Sequence, residues 1–346
     1  MAPADRPPSG GHRRPPSGEH HRLPIHEGLV GQRALIGTPY LGDARLRREY
    51  DTSIAPRTRA ALGKILDEIA PSRRMTRPYR LLDLGAGTGA ATDAFRAHFG
   101  DNLVVVAVDQ VAAPGVLTAD LERFDVPPRV EGRFDFIVAA HVLNELGTRL
   151  PPADRIASRV RKVQAWCRRL LDDGGTLILL EPALRETSRE LLAVRDQLVA
   201  AGLIVVAPCL WMGPCPALGK ERDWCHDTAT RPDVKGAAAR VDFSYLVIRA
   251  HGEPEPHTTD PTLFRIVSAP LAEKGRLRLY GCGPSGRQPL VRLHRHVSDA
   301  NASFADLERG DVARLRCTTF ARDGLRVTAE TTVTRLSPHD AALRSG

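Results

Sequence analysis

No apolar run in this sequence is longer than a strand needs, so nothing in it predicts a membrane-spanning helix. No apolar stretch follows the first residues either. The start does not read as a secretory signal, and disulfides are not expected. Residues 1–22 hold Pro, Gly, Arg, His and Ser with hardly any large apolar side chain, which predicts a disordered tail. Their prolines and glycines exclude the amphipathic helix of a mitochondrial presequence, so the expected setting is the bacterial cytoplasm. No internal repeat is visible.

What is present is enough for one large domain or two, with an ample core: 346 residues, 42% of them apolar. Lys and Arg number 49 against 41 Asp and Glu, a net charge of +8. That balance suits an anionic partner such as nucleic acid, and it equally suits a solvated basic surface. Six cysteines are present: Cys167, Cys209, Cys215, Cys225, Cys282 and Cys317. With disulfides not expected, clustered cysteines point to metal.

Along the chain, residues 40–70 carry apolar side chains at helical spacing, including Ala61, Leu62, Ile65, Leu66 and Ile69. Residues 43–80 hold ten Lys/Arg against five Asp/Glu, so this helical cap has either a phosphate-facing or a merely solvated basic face. Buried strands are predicted at Leu81–Leu84, Leu103–Val108, Phe134–Ala140 and Thr176–Leu180. Helices are predicted at about 88–99, at Asp154–Leu171 (strongly basic, and a second candidate for phosphate contact) and at Leu184–Ala200. Strands alternating with helices of this length predict an α/β fold with a parallel, doubly wound sheet. Residues 208–236 have no clear period, and Val241–Arg249 alternates like a strand returning to the sheet. Beyond residue 262 short strands predict a small β extension, at Leu263–Val267, Arg276–Tyr280, Leu290–Val297, Val312–Thr318 and Leu325–Thr334. The expected divisions are a tail at 1–22, a helical cap at 23–78, a core at 79–250 containing the cysteine-rich loop 208–236, and a β extension at 251–346.

The stretch Leu81–Ala90 ends an apolar run in three alternating glycines, Gly85, Gly87 and Gly89, followed by a helix start. Glycine permits the positive φ of a tight turn and lets a ligand lie on bare backbone, while the helix N-terminus offers free N–H groups. Asp83 precedes the first glycine, Asp109 ends the next strand, and Asp120 follows. The loop also fits the permissive dinucleotide fingerprint, with Asp109 as the ribose-binding acid. The three acids together favour S-adenosylmethionine: Asp83 toward its amino group, Asp109 on the ribose diol and Asp120 beside the adenine amino group. Asn144 and Glu145 follow the third strand, where they line the pocket or cap a helix start. Neither a proline-tyrosine pair of the amino-methylating type nor a catalytic cysteine follows that strand, and no catalytic base is evident.

Cys209, Cys215 and Cys225 are spaced Cys-x5-Cys-x9-Cys among prolines and glycines, and Cys282 lies far downstream. Four thiolates can bind a [4Fe–4S] cluster or tetrahedral zinc, and this spacing fits neither common motif. Cys167 and Cys317 sit in a predicted helix and strand, as core cysteines do.

Together, Tyr50–Ala61, Leu81–Ala90, His141–Leu146, Leu180-Glu181-Pro182, Pro208–His226 and Phe243-Ser244-Tyr245 resemble the methyltransferase-like small-ribosomal-subunit proteins of bacteria and mitochondria, across about residues 40–300. The resemblance implies a class I (Rossmann-like) methyltransferase core with a cluster module and a C-terminal β extension. It implies that Cys209, Cys215, Cys225 and Cys282 hold a [4Fe–4S] cluster. It also implies that the partner is the small ribosomal subunit and its rRNA, in ribosome assembly and translation, with no membrane and no DNA. Residues 110–117 depart from the family by being too short for a helix. Three readings follow: an RNA methyltransferase, a non-catalytic rRNA-binding assembly factor that retains the cofactor site, and a zinc-containing small-molecule methyltransferase.

Overall fold

The computed structural model describes residues 24–69, 76–232, 238–250 and 259–337. The tail expected at 1–22 lies outside them. Two mixed layers of structure follow one another along the chain, each built on an eight-stranded sheet.

The first sheet comprises β1 (Tyr79–Leu84), β2 (Leu103–Asp109), β3 (Val116–Thr118), β4 (Phe134–Ala140), β5 (Leu171–Pro182), β6 (Ile204–Ala207), β7 (Asp227–Pro232) and β8 (Ala238–Arg249). Its strand order is β3-β2-β1-β4-β5-β8-β6, with β7 paired to β8. β1 to β5 run parallel, whereas β8 is antiparallel to β5, β6 and β7. The central strands are apolar throughout because both of their faces are covered. On one face α2 (Ala55–Ile69) and α3 (Ala90–Phe99) pack Leu62, Leu66 and Phe95 on Leu81, Phe136 and Val138. On the other, α4 (Pro152–Leu170) and α5 (Arg185–Ala200) pack Trp166, Val163, Leu191 and Leu198 on Leu82, Ile137 and Leu177. Strand order reverses between β1 and β4, which opens a crevice at their carboxyl ends. α1 (Ala44–Ser53) starts on an Asp43 cap and closes that end of the sheet.

The second sheet is mostly antiparallel and holds β9 (Leu263–Ile266), β10 (Leu271–Glu273), β11 (Arg276–Gly283), β12 (Gly286–Leu293), β13 (Val312–Arg316), β14 (Thr319–Ala321), β15 (Gly324–Val327) and β16 (Thr332–Leu336). Its core gathers Phe264, Ile266, Leu279, Leu290, Phe304 and Leu315.

Buried charges join the two sheets. Arg265 on β9 pairs with Glu68 on α2 and donates to the Gly310 carbonyl at 2.7 Å. Tyr245 on β8 donates to the other Glu68 oxygen at 2.6 Å. Lys64, one turn before Glu68, reaches Asp227 at 2.8 Å.

Some sequence expectations change. Residues 227–232 form a strand, because β8 is long enough to pair with β7 beyond the end of β5. The strand expected at Leu325–Thr334 is two strands, β15 and β16, toward opposite ends of the second sheet, β15 between β14 and β12 and β16 at an edge. β5 begins at Leu171, so the Asp172–Gly175 run lies within an irregular strand start. Cys167 is buried as expected, but Cys317 is exposed in a positive-φ turn and is no core cysteine. Among the described residues no helix is long and apolar enough to cross a membrane.

Glu68→Ala leaves the Arg265 guanidinium buried without its acid. Removing one partner of such a pair costs about 3 kcal/mol of stability. Denaturant unfolding of Glu68→Ala should show a loss of that order, with partial recovery in Glu68→Ala/Arg265→Met. A loss under about 0.5 kcal/mol, the range of ordinary surface changes, would contradict the role given to the pair.

Candidate cofactor pocket and cysteine cavity

A cavity of about 310 Å³ opens at the carboxyl ends of β1, β2 and β4, within the range of small-molecule sites. Gly85, Gly87, Asp109, Asp120, His141 and Glu145 are among its lining residues. Gly85 and Gly87 have φ of +70° and +55°. A Cβ on Gly85 would fall 2.5 Å from Val142 Cγ2, so the turn needs glycine both for its backbone and for its neighbour. Asp109 Oδ2 accepts from the Gly87 N–H and Oδ1 from the Val111 N–H, both at 2.8 Å. These bonds fix its carboxylate against the glycine turn and leave each oxygen a second lone pair. Bare backbone beside a fixed carboxylate fits the ribose and amino-acid portions of an adenosyl cofactor.

Two of the residues singled out for cofactor contact stand apart from this cavity. Asp83 is 1% exposed, and its Oδ2 accepts from Thr92 N at 3.2 Å and Thr92 Oγ1 at 2.7 Å. It therefore caps the first turn of α3. Burial pushes its carboxyl up to about 6, partly opposed by the Thr92 bonds, and its Oδ1 has no partner among the described residues. Gly89 is the positive-φ N-cap of α3 and does not line the cavity. Asp120 does line it, with Oδ1 accepting from Glu122 N at 2.8 Å.

A second cavity, of about 260 Å³, adjoins the first and shares Tyr40, Tyr50, His141 and Glu145 with it. Asn144 lines this cavity and not the first. Its Nδ2 donates to the His141 carbonyl at 2.8 Å, Oδ1 accepts from Arg33 at 3.4 Å, and its N–H donates to Glu181 at 3.3 Å. Glu145 accepts from Gly37 N at 3.3 Å and Tyr40 OH at 3.4 Å. Burial, reinforced by Glu181 and Asp109, pushes its carboxyl up to about 8. His141 has φ of +63°, sparsely populated for a non-glycine residue, and burial lowers its imidazole to about 4. Its Nε2 meets Thr58 Oγ1 at 3.2 Å, and its Nδ1 has no partner among the described residues. The wall between the two cavities is thus neutral at pH 7. Sequence reasoning missed His141, Tyr40 and Tyr50. The tyrosines lie in a helical apolar pattern that gives no hint of the crevice.

Cys209, Cys215, Cys225 and Cys282 all line a third cavity, between α5, β8 and the second sheet. Among the described residues no group of three or more His, Cys, Asp or Glu is drawn together tightly enough to hold one metal ion. Burial, then the neighbouring Cys209, pushes the Cys215 thiol up to about 11 and Cys225 up to about 12, and Cys282 rises for like reasons. Arg195 acts electrostatically on Cys209 and Cys215, Arg287 on Cys225 and Cys282, and Arg309 on Cys225. Four soft donors among three guanidinium groups fit an anionic, thiolate-bound group.

The loop that bears these thiols is held by α5. Arg195, 1% exposed, donates to the carbonyls of Trp211 and Gly213, while Asp196 accepts from Cys215 N at 3.0 Å. Arg189 donates to Ala217, Lys220 and Asp223 carbonyls at 3.0, 2.7 and 2.7 Å. Sequence reasoning missed both arginines, which carry no local signature.

The basic α4 helix does not offer its whole charge to a partner. Arg155 and Arg159 share Glu190, and Arg159 and Lys162 are buried. Lys162 donates to the Glu122 carbonyl at 3.1 Å. Only Arg161, Arg168 and Arg169 remain exposed on it among its Lys and Arg.

The chain belongs to the family of the mitochondrial small ribosomal subunit protein Rsm22, whose sequence profile matches residues 48–296. It is 28% identical over 281 residues to the human "Ribosome assembly protein METTL17, mitochondrial", an alignment that covers 69% of this chain and 56% of the human protein. The chain thus spans little more than half the length of that relative. Similar solved structures include the CurJ carbon methyltransferase, 19% identical over 68% of each chain with a TM-score of 0.38. An O-methyltransferase family 2 protein from Planctomyces limnophilus is 14% identical over 66% of this chain and 67% of its own, with a TM-score of 0.37. The fold assignment rests on this chain's own strand order.

Glu145 titrates near 8 when folded and near 4.5 when unfolded. A raised carboxyl stabilises fully below its unfolded value, and that contribution is lost as pH rises through the folded value. Wild-type protein should therefore lose stability between pH 6 and 8 relative to Glu145→Gln, read from urea midpoints. Parallel pH profiles for the two proteins would contradict the buried, protonated state.

Proposed function

We propose that this member of the Rsm22 family binds S-adenosylmethionine in the first cavity, carries a [4Fe–4S] cluster, and acts on the small ribosomal subunit and its rRNA during assembly. The setting proposed is the bacterial cytoplasm. The observation that carries this reading is that the three thiols of the 208–226 loop and the sequence-distant Cys282 line one arginine-flanked cavity, in a chain whose sheet also forms a nucleoside-sized crevice.

Asp109 would hold the ribose hydroxyls, Gly85 and Gly87 the cofactor's amino-acid portion, and Asp120 the adenine edge. Asp83 would act from behind, by fixing the α3 terminus that faces the ligand. When bound, the cofactor supplies an electrophilic methyl group. Cys209, Cys215, Cys225 and Cys282 would hold the cluster, which cross-links the 208–226 loop to β11 and adds a tie between the two sheets. Zinc is the alternative occupant of the same thiols.

A second reading, a non-catalytic assembly factor with a retained cofactor site, is favoured by Asn144. Its side-chain groups are already engaged by His141 and Arg33, so it has little left to position an acceptor. A zinc-containing small-molecule methyltransferase has no comparable observation behind it.

Calorimetric titration with S-adenosylmethionine tests the pocket. Asp109→Ala should raise Kd at least tenfold, about 1.4 kcal/mol, and an unchanged Kd would remove Asp109 from the site. Labelled methyl transfer to immature small subunits then separates the two readings. Incorporation that Asp109→Ala abolishes indicates the enzyme, and none from metal-replete protein indicates the assembly factor.

A further inference from the structure

The second sheet gives Cys282 and Arg287 to the cysteine cavity, and beyond them it carries a feature that neither cavity uses. Strands β9, β11, β12, β13 and β15 follow a definite path. β9 pairs antiparallel with β11, β11 with β12, β12 runs parallel to β15, and β13 returns to β9. The helical turn Asp299–Ala305 lies between the third and fourth of these strands and inserts Phe304 into the core. This is the order of a five-stranded, partly open Greek-key barrel. In such barrels the face of strands two and three, with the loops between strands one and two and between four and five, receives oligonucleotides. Fold alone does not assign a ligand. The side chains at those places do.

The outer face of β11 presents Arg278 and Tyr280, and two guanidinium groups, Arg278 and Arg287, lie 5.9 and 5.3 Å from the Tyr280 ring. The loop between the fourth and fifth strands forms the β14 hairpin, where Phe320 is 86% exposed, more than any other large apolar residue described. Arg316 and Arg322 flank it, both exposed and without an ion pair among the described residues. The loop between the first two strands carries an exposed Lys274. Residues 263–336 hold thirteen Lys/Arg against seven Asp/Glu, so this segment supplies +6 of the chain's +8.

We infer that this face binds single-stranded RNA, with bases stacking on Phe320 and Tyr280 and phosphates meeting Arg316, Arg322 and Lys274. An unpacked aromatic ring beside unpaired cations matches the needs of a flexible strand, which offers base faces and phosphates together. A duplex keeps its bases stacked and offers a ring nothing to stack on. The inference rests on the proposed ribosomal role only in choosing RNA over DNA. It places RNA contact on the second sheet and not on α4, which has spent Arg155, Arg159 and Lys162 internally.

The test uses the full chain with a fluorescein-labelled oligo(U) of about 15 nucleotides, a length suited to one such barrel, and a matching RNA duplex, followed by anisotropy across a salt series. Wild-type protein should prefer the single strand. Phe320→Ala should weaken it about tenfold, from the loss of one stacked base. Arg316→Ala/Arg322→Ala should lower the salt slope by about one to one and a half. Both variants alter exposed side chains, and unchanged affinity for S-adenosylmethionine verifies the fold. No binding of oligo(U), equal binding by both variants, or a preference for duplex would overturn the inference. Co-sedimentation of wild-type protein with small subunits, run alongside, reports on the ribosomal reading separately: its absence with oligo(U) binding intact would refute that reading and leave this one standing.

Discussion

The burial of Arg265 against Glu68 is the constraint on which the rest of the molecule depends. A guanidinium taken out of water without a counter-charge would cost more than any nearby packing returns. Glu68, the Gly310 carbonyl and the Tyr245 hydroxyl that shares Glu68 answer that demand from α2, from the loop before β13 and from β8. Satisfying one side chain therefore fixes the second sheet against the first. The same docking puts Cys282 on β11 across one cavity from the three thiols of the 208–226 loop.

Elsewhere too, charged side chains are spent on architecture before they are available for function. Asp83 caps α3, Asp109 grips the glycine turn, Arg189 and Arg195 gather loop carbonyls, and Arg159 and Lys162 are buried in α4. A loop with few apolar anchors needs such bonds to hold one conformation. At the crevice this prepayment leaves a rigid cradle, with neutral His141 and protonated Glu145 between its two chambers.

Much of this was legible in the sequence because it rests on periodicity or on residue chemistry. The alternation of strands and helices announced the doubly wound sheet, and three glycines after Leu84 announced the turn at its switch point. The four cysteines outside any apolar period announced a shared cavity, whereas Cys317, in an apparent strand, gave no sign of its exposed positive-φ turn. What stayed hidden depends on partners remote in sequence. Nothing near Arg195 says that it will meet Trp211 and Gly213, and nothing near Asp83 says that Thr92 will claim it. The charge of α4 read as a phosphate-facing surface because Glu190 lies 31 residues from Arg159. The Greek-key path of the second sheet was equally invisible, since short strands do not declare their pairing order.

We propose that the cavity between the two sheets holds an iron–sulfur cluster that clamps them together. Metal and acid-labile sulfide analysis of the full chain, purified anaerobically, tests it most directly. The account predicts about four iron and four sulfide per chain, the content of one [4Fe–4S] cluster, falling to background in Cys225→Ser. One zinc per chain without iron, or iron that persists unchanged in Cys225→Ser, would contradict it.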